Sequence, residues 1–106
     1  PTRLVCAASY QNGIVRIVDL ENFQLKTKLQ VAQESVTAID FLGEGNIFAA
    51  GTSTGRIILT YWENNQVLLE RALHAGVESI QVFQGDGDRK IWLATHTDRT
   101  LSIWYE

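Results

Sequence analysis

Three stretches decide how this chain folds. Cys6-Ala7-Ala8-Ser9-Tyr10-Gln11-Asn12-Gly13-Ile14-Val15-Arg16-Ile17-Val18-Asp19 lies over Phe48-Ala49-Ala50-Gly51-Thr52-Ser53-Thr54-Gly55-Arg56-Ile57-Ile58-Leu59-Thr60-Tyr61. Leu93-Ala94-Thr95-His96-Thr97-Asp98-Arg99-Thr100-Leu101-Ser102-Ile103-Trp104-Tyr105 is a third copy. Each begins hydrophobic-small-small, passes a polar turn and enters a β-branched or aromatic run. The turn glycines Gly13 and Gly55 stand 42 residues apart, and Thr60 and Trp104 stand 44 apart. The third copy reads as one residue shorter in its turn. A second element repeats as well, since Val36-Thr37-Ala38-Ile39-Asp40-Phe41 matches Val77-Glu78-Ser79-Ile80-Gln81-Val82 at a spacing of 41. A near-constant period of this size is the signature of stacked supersecondary units.

The runs inside the period are strands. Ile57–Trp62 is β-branched and aromatic, and Leu101-Ser102-Ile103-Trp104 alternates cleanly. Turn signals separate them at Gln11-Asn12-Gly13, Gly43-Glu44-Gly45-Asn46, Ser53-Thr54-Gly55, Glu63-Asn64-Asn65 and Gly85-Asp86-Gly87-Asp88. Gln66–His74 is the best helical candidate, yet Val67-Leu68-Leu69 and nearby Gly76 suit a strand equally well. The chain reads as all-β with about ten strands. A closed eight-stranded barrel, the rival all-β fold, would not show the period.

Composition bounds the function. The chain has 106 residues, 45% hydrophobic and 20% charged, enough for one small domain. No apolar run approaches the roughly 18–20 residues that span a bilayer as a helix, and no secretory signal is visible. The absence of Met marks the sequence as a processed or excerpted segment. One cysteine, Cys6, excludes an internal disulfide and a cysteine-cluster metal site. A net charge of −3 speaks against a dedicated nucleic-acid binder.

On these residues the chain resembles the WD-repeat β-propeller family, whose unit is a four-stranded blade of about 40–45 residues. The third copy carries the likeness best, with Leu93-Ala94-Thr95, the turn Asp98-Arg99-Thr100 and Leu101-Ser102-Ile103-Trp104. His74 resembles the histidine of the family's Gly-His pair, without its glycine and closer than usual to strand a. The Trp-Asp pair is Val18-Asp19, Thr60-Tyr61 and Trp104-Tyr105 here. The resemblance implies blade pieces at about 1–31, 36–73 and 77–106. The first would hold strands b, c and d at Leu4–Ser9, Ile14–Asp19 and Gln24–Val31. A complete blade follows at Val36–Phe41, Ile47–Thr52, Arg56–Trp62 and Val67–Leu73. The third would hold a, b and c at Val77–Phe83, Lys90–Thr95 and Thr100–Tyr105. About two and a half blades cannot close a ring alone, because propellers typically need 4–8.

The resemblance also implies a structural hydrogen-bond network of His74, Thr95, Asp98 and Trp104, tying the d–a loop to the b–c hairpin. The other copies have Ala8, Asn12 and Val18, or Ala50, Thr54 and Thr60, and cannot form the full set. A catalytic reading would gather His74, His96, Asp98, Ser79 or Cys6. No nucleophile-elbow glycines surround Ser79 or Cys6, and Cys6 sits in an apolar run where a thiol is inert. Asp86-Gly87-Asp88 has too few following ligands for a calcium loop, and Gly43-Glu44-Gly45 lacks the context of a phosphate cradle. No cofactor or metal is expected.

The expected function is a non-catalytic protein-interaction scaffold, with loops presented on a rigid frame. An architectural segment within a large assembly is the alternative, and a propeller enzyme a third. Expected partners are other proteins, together with remaining blades of the same propeller or neighbouring chains; nucleic acid and membrane insertion are not expected. The resemblance implies an intracellular location, cytoplasmic or nuclear. The a–b and c–d loops carry Asp19, Glu21, Glu44, Glu63, Asp86 and Asp88 against Arg89 and Lys90, an acidic face. The b–c and d–a loops balance Glu34 and Asp98 against Arg56 and Arg99. On this neutral face Tyr10, Ser53, His96 and Glu34 are the candidate partner contacts.

Overall fold

β-branched and aromatic runs broken by short polar turns leave each strand one direction in which to pair: back on its predecessor. The computed structural model describes residues 5–9, 12–42, 46–84 and 90–105, with backbone alone at 5–9, 84, 104 and 105. Among them are ten strands: β1 (Val5–Ser9), β2 (Ile14–Asp19), β3 (Gln24–Gln30), β4 (Val36–Leu42), β5 (Ile47–Thr52), β6 (Arg56–Tyr61), β7 (Gln66–Ala72), β8 (Val77–Gln84), β9 (Lys90–His96) and β10 (Leu101–Tyr105). They form three antiparallel meanders, β1-β2-β3, β4-β5-β6-β7 and β8-β9-β10. Gln66–Ala72 is a strand, which resolves the helix-or-strand ambiguity. Three separate sheets also exclude a single closed barrel.

The sheets stack face to face, and the core lies in the two seams between them. In the first seam Val15, Ile17 and Leu29 meet Val36, Phe48, Ala50 and Trp62. In the second, Leu42, Ala49, Ile57 and Leu59 meet Val77, Ile80, Trp92 and Ala94. Polar links cross the second seam. Asp40 Oδ2 accepts the Val82 N–H at 2.9 Å, and the Thr37 hydroxyl reaches the Gly51 and Val77 carbonyls. The stack measures 39 × 36 × 21 Å.

Registers in the second and third sheets superimpose strand for strand. Val36 pairs with Thr52 and Val77 with His96, each followed by a bulge. Gly51 pairs with Ile57 and Thr95 with Leu101. The spacing is therefore 44 throughout this hairpin, and the third turn is as long as the second. This corrects the reading of a shortened turn. Trp92 matches Phe48, His96 matches Thr52, and Thr95 matches Gly51. The turns share one backbone shape: Gly13, Gly55 and Arg99 have φ of 79°, 94° and 70°. Left-handed backbone costs glycine nothing and arginine about 1 kcal/mol.

Candidate interaction face

The linkers between sheets are strapped to the turns beneath them by backbone bonds. Val31 N–H donates to Gly13 O at 3.0 Å, and Ser53 N–H donates to Ser35 O at 3.0 Å, so linker 31–35 holds the turns of both sheets it joins. Linker 73–76 does the same: Leu73 N–H reaches Gly55 O at 2.7 Å and Thr97 N–H reaches Gly76 O at 2.9 Å. Each strap fixes a polar cluster on the face formed by the b–c and d–a loops.

The first cluster centres on Glu34. Thr54 Oγ1 donates to its Oε2 at 2.5 Å and Thr52 Oγ1 at 3.1 Å. Arg56 Nη1 lies 3.3 Å from its Oε1, while Nη2 meets Glu70 Oε2 at 2.6 Å. Thr52 is buried and also accepts the Arg56 N–H at 3.0 Å. The Thr54 hydroxyl first, then the backbone, Thr52 and Arg56, outweigh burial and lower the Glu34 pKa to about 2.

The second cluster sits at the matching place one sheet on. Thr100 Oγ1 donates to Asp98 Oδ1 at 2.5 Å, and its N–H donates to the same oxygen at 3.1 Å. The Thr100 hydroxyl proton is thereby committed, so His74 Nε2, 2.5 Å from Thr100 Oγ1, is the donor to it. His74 Nε2 also lies 3.4 Å from Asp98 Oδ2. Thr100, and then His74, hold the Asp98 carboxyl below its ordinary range. His96 is 2% exposed. A carbonyl only accepts, so Nδ1 donates to Ala75 O at 2.9 Å; in the neutral ring Nε2 accepts from Ser102 Oγ at 2.7 Å. The two imidazole rings lie 4.5 Å apart, tilted by 49°.

Of the expected network, the structure brings His74 and Asp98 together and leaves Thr95 out. Thr95 pairs instead with Ser79, Oγ to Oγ1 at 2.6 Å. Successive residues of a strand face opposite ways, so Thr95 points away from the face that His96 occupies. Thr100 supplies the hydroxyl that reaches His74, and sequence reasoning missed it. Matching Trp92 to Phe48, aromatic to aromatic, would have set the register and placed Thr95 at Gly51, outside the network. The Trp104 side chain lies outside the described residues, as does Tyr10. Of the candidate contacts, Ser53 is exposed and Glu34 lies within its cluster. His96 is removed from contact by burial, because it occupies the place of buried Thr52. No helix among the described residues is long and apolar enough to cross a membrane.

No family model matches the chain. WD repeat-containing protein 90 of Xenopus tropicalis is 26% identical over 106 residues, covering 92% of this chain and 6% of that protein. Periodic tryptophan protein 2 of Saccharomyces cerevisiae is 23% identical over 105 residues, covering 98% of this chain and 11% of that protein. The chain thus spans a small part of the length of either relative. The crystal structure of the computationally designed Ika4 protein matches with a TM-score of 0.77 at 23% identity, over 99% of this chain and 62% of that one. Repeating meanders, shared registers and these likenesses converge: the chain is a β-propeller segment of about two and a half blades, similar in sequence to WD-repeat proteins.

Proposed function

We propose that this chain is part of a non-catalytic protein-interaction scaffold that presents the b–c and d–a loops to a protein partner. The observation that carries this reading is the strapping of each linker to two turns, which fixes the loop face as a rigid surface. The polar groups on that face are spent on one another rather than aimed at a substrate. His74 and His96 bond Thr100, Ala75 and Ser102, and Glu34 is held by Thr52, Thr54 and Arg56. Two relatives with WD-repeat character support protein partners as a class.

The contact residues proposed are Ser53 and the exposed edge of the Glu34 cluster, with Tyr10 as a further contact. The test is a binding measurement between the longer protein and a partner recovered with it. Ser53→Arg should weaken binding at least tenfold while leaving thermal stability unchanged. Unchanged affinity in Ser53→Arg and Tyr10→Ala would refute the use of this face.

A second reading, an architectural segment within a larger ring, is favoured by one observation. Leu101 and Ile103 are both 56% exposed on the outer face of the third sheet. Intracellular residence belongs to the same proposal.

A further inference from the structure

The turn of the first sheet holds a reactive pair that its two counterparts lack. By register, Asn12, Thr54 and Asp98 share one place, and Gly13, Gly55 and Arg99 share the next. Of the five asparagines, only Asn12 precedes a glycine. In such a pair the glycine nitrogen can close on the asparagine side-chain carbonyl, because no Cβ shields it. Thr54 has no carbonyl to attack, and the nitrogen after Asp98 belongs to Arg99, which carries a full side chain.

The fold requires this glycine. Gly13 has φ of 79°, and a Cβ built on it would stand 2.1 Å from Ala32 O and 2.8 Å from Glu34 O. Asn12 is exposed, open to water and base. Gln30, at the end of β3, reaches back to the turn, with Nε2 2.5 Å from Asn12 O and 2.5 Å from Ala32 O. Two carbonyl oxygens are met together only by the NH2 end of the amide, one hydrogen for each. Asn12 O belongs to the same peptide group as the Gly13 nitrogen. When that nitrogen loses its proton, the negative charge falls largely on Asn12 O. A donor already held at this oxygen therefore favours the ionised peptide. The second sheet has Ala72 at the place of Gln30, and so no such donor.

We propose that Asn12-Gly13 is a self-modification site at which the asparagine deamidates, with Gln30 promoting the step. Base removes the Gly13 N–H proton. The nitrogen then bonds to Asn12 Cγ, the Cγ–Nδ2 bond breaks, and ammonia leaves with a proton supplied by water. The product is a five-membered succinimide. Water opens this ring at either carbonyl, giving aspartate or isoaspartate, so the net change consumes one water and releases one ammonia. Both products add a negative charge to the face formed by the b–c and d–a loops. Isoaspartate also adds a methylene to the main chain just before Gly13, whose carbonyl holds the Val31 N–H at 3.0 Å. The longer main chain loosens the strap on linker 31–35.

The test incubates the folded chain in mildly alkaline buffer and follows its tryptic peptide 4–16 by mass spectrometry, with electron-transfer fragmentation to tell the two products apart. The unaltered chain should gain about one dalton in that peptide severalfold faster than Gln30→Leu, and Asn12→Gln should gain none over the same period. In denaturant, where Gln30 no longer reaches the turn, the unaltered chain and Gln30→Leu should react at one rate. A glutamine that merely braces the turn gives the opposite order in the folded chain, since its loss frees the turn to react. An equal or faster rate in folded Gln30→Leu would therefore overturn its role. No gain in the folded unaltered chain, while the denatured chain reacts, would overturn the site itself. After incubation the isoaspartate-bearing chain should melt below the fresh chain, whereas Asn12→Asp, which carries the charge without the added methylene, should melt with the fresh chain. An isoaspartate form as stable as the fresh chain would overturn the loosening of the strap.

Discussion

A carboxylate that collects two threonine hydroxyls and a guanidinium is stabilised only while it is charged. Glu34 is such a group, with its pKa lowered from the ordinary 4.5 to about 2. The folded-state value is depressed, so the contribution is fully present above pH 4.5 and is lost as pH falls through 2. Glu34→Gln should lose about 1–2 kcal/mol at neutral pH, short of the full linkage value because the Arg56–Glu70 side is open to solvent. Denaturant midpoints from pH 6 to pH 2.5 should show the gap between wild type and variant closing at the acid end. Thr60 offers the opposite case. It is 0% exposed, and its hydroxyl has no hydrogen-bond partner among the described residues. Thr60→Val keeps the shape and removes the unpaired polar atom, so it should raise stability by about 1 kcal/mol in a thermal melt. Phe23, 79% exposed with φ of 57°, stands where the next hairpin has Asn65 at 53°. Phe23→Asn should be neutral or stabilising by up to about 1 kcal/mol in the same assay, because asparagine tolerates this backbone.

At the scale of strands and seams, packing against a glycine sets the approach of neighbouring sheets. Gly51→Ala should cost about 1–3 kcal/mol, because its Cβ meets the Val77 side chain. Val77→Ala in the same molecule should recover part of that loss, and a double-mutant cycle of chemical denaturation would show the coupling. The strands themselves were legible in the sequence, since Ile57–Trp62 and Leu101–Trp104 carry their β character in residue type and turn chemistry. Register was not. Leu93-Ala94-Thr95 satisfies the hydrophobic-small-small pattern as well as Trp92-Leu93-Ala94 does, and one residue of slip exchanges the two faces of a strand. That slip placed Thr95 in the His74 network and left His96 exposed. His74 and Asp98 were legible because they sit in turns, where a shift of one residue in strand pairing does not reverse them.

For the whole molecule, stability is a sum of sheets and the seams between neighbours, as in other repeat stacks. An outer face with Leu101 and Ile103 each 56% exposed invites association between copies of the isolated chain. Leu101→Lys with Ile103→Lys should shift sedimentation of the purified chain toward the monomer, with little loss of stability, since neither side chain is buried.

The straps between linkers and turns are made by backbone atoms alone: Val31 to Gly13, Ser53 to Ser35, Leu73 to Gly55 and Thr97 to Gly76. A bond between main-chain groups survives almost any exchange of the side chains that flank it. Drift can therefore rewrite the loop chemistry, from Glu34 with threonines in one cluster to a histidine pair in the next, without loosening the frame. A frame held in this way lets side chains change one loop at a time while the turns keep their places.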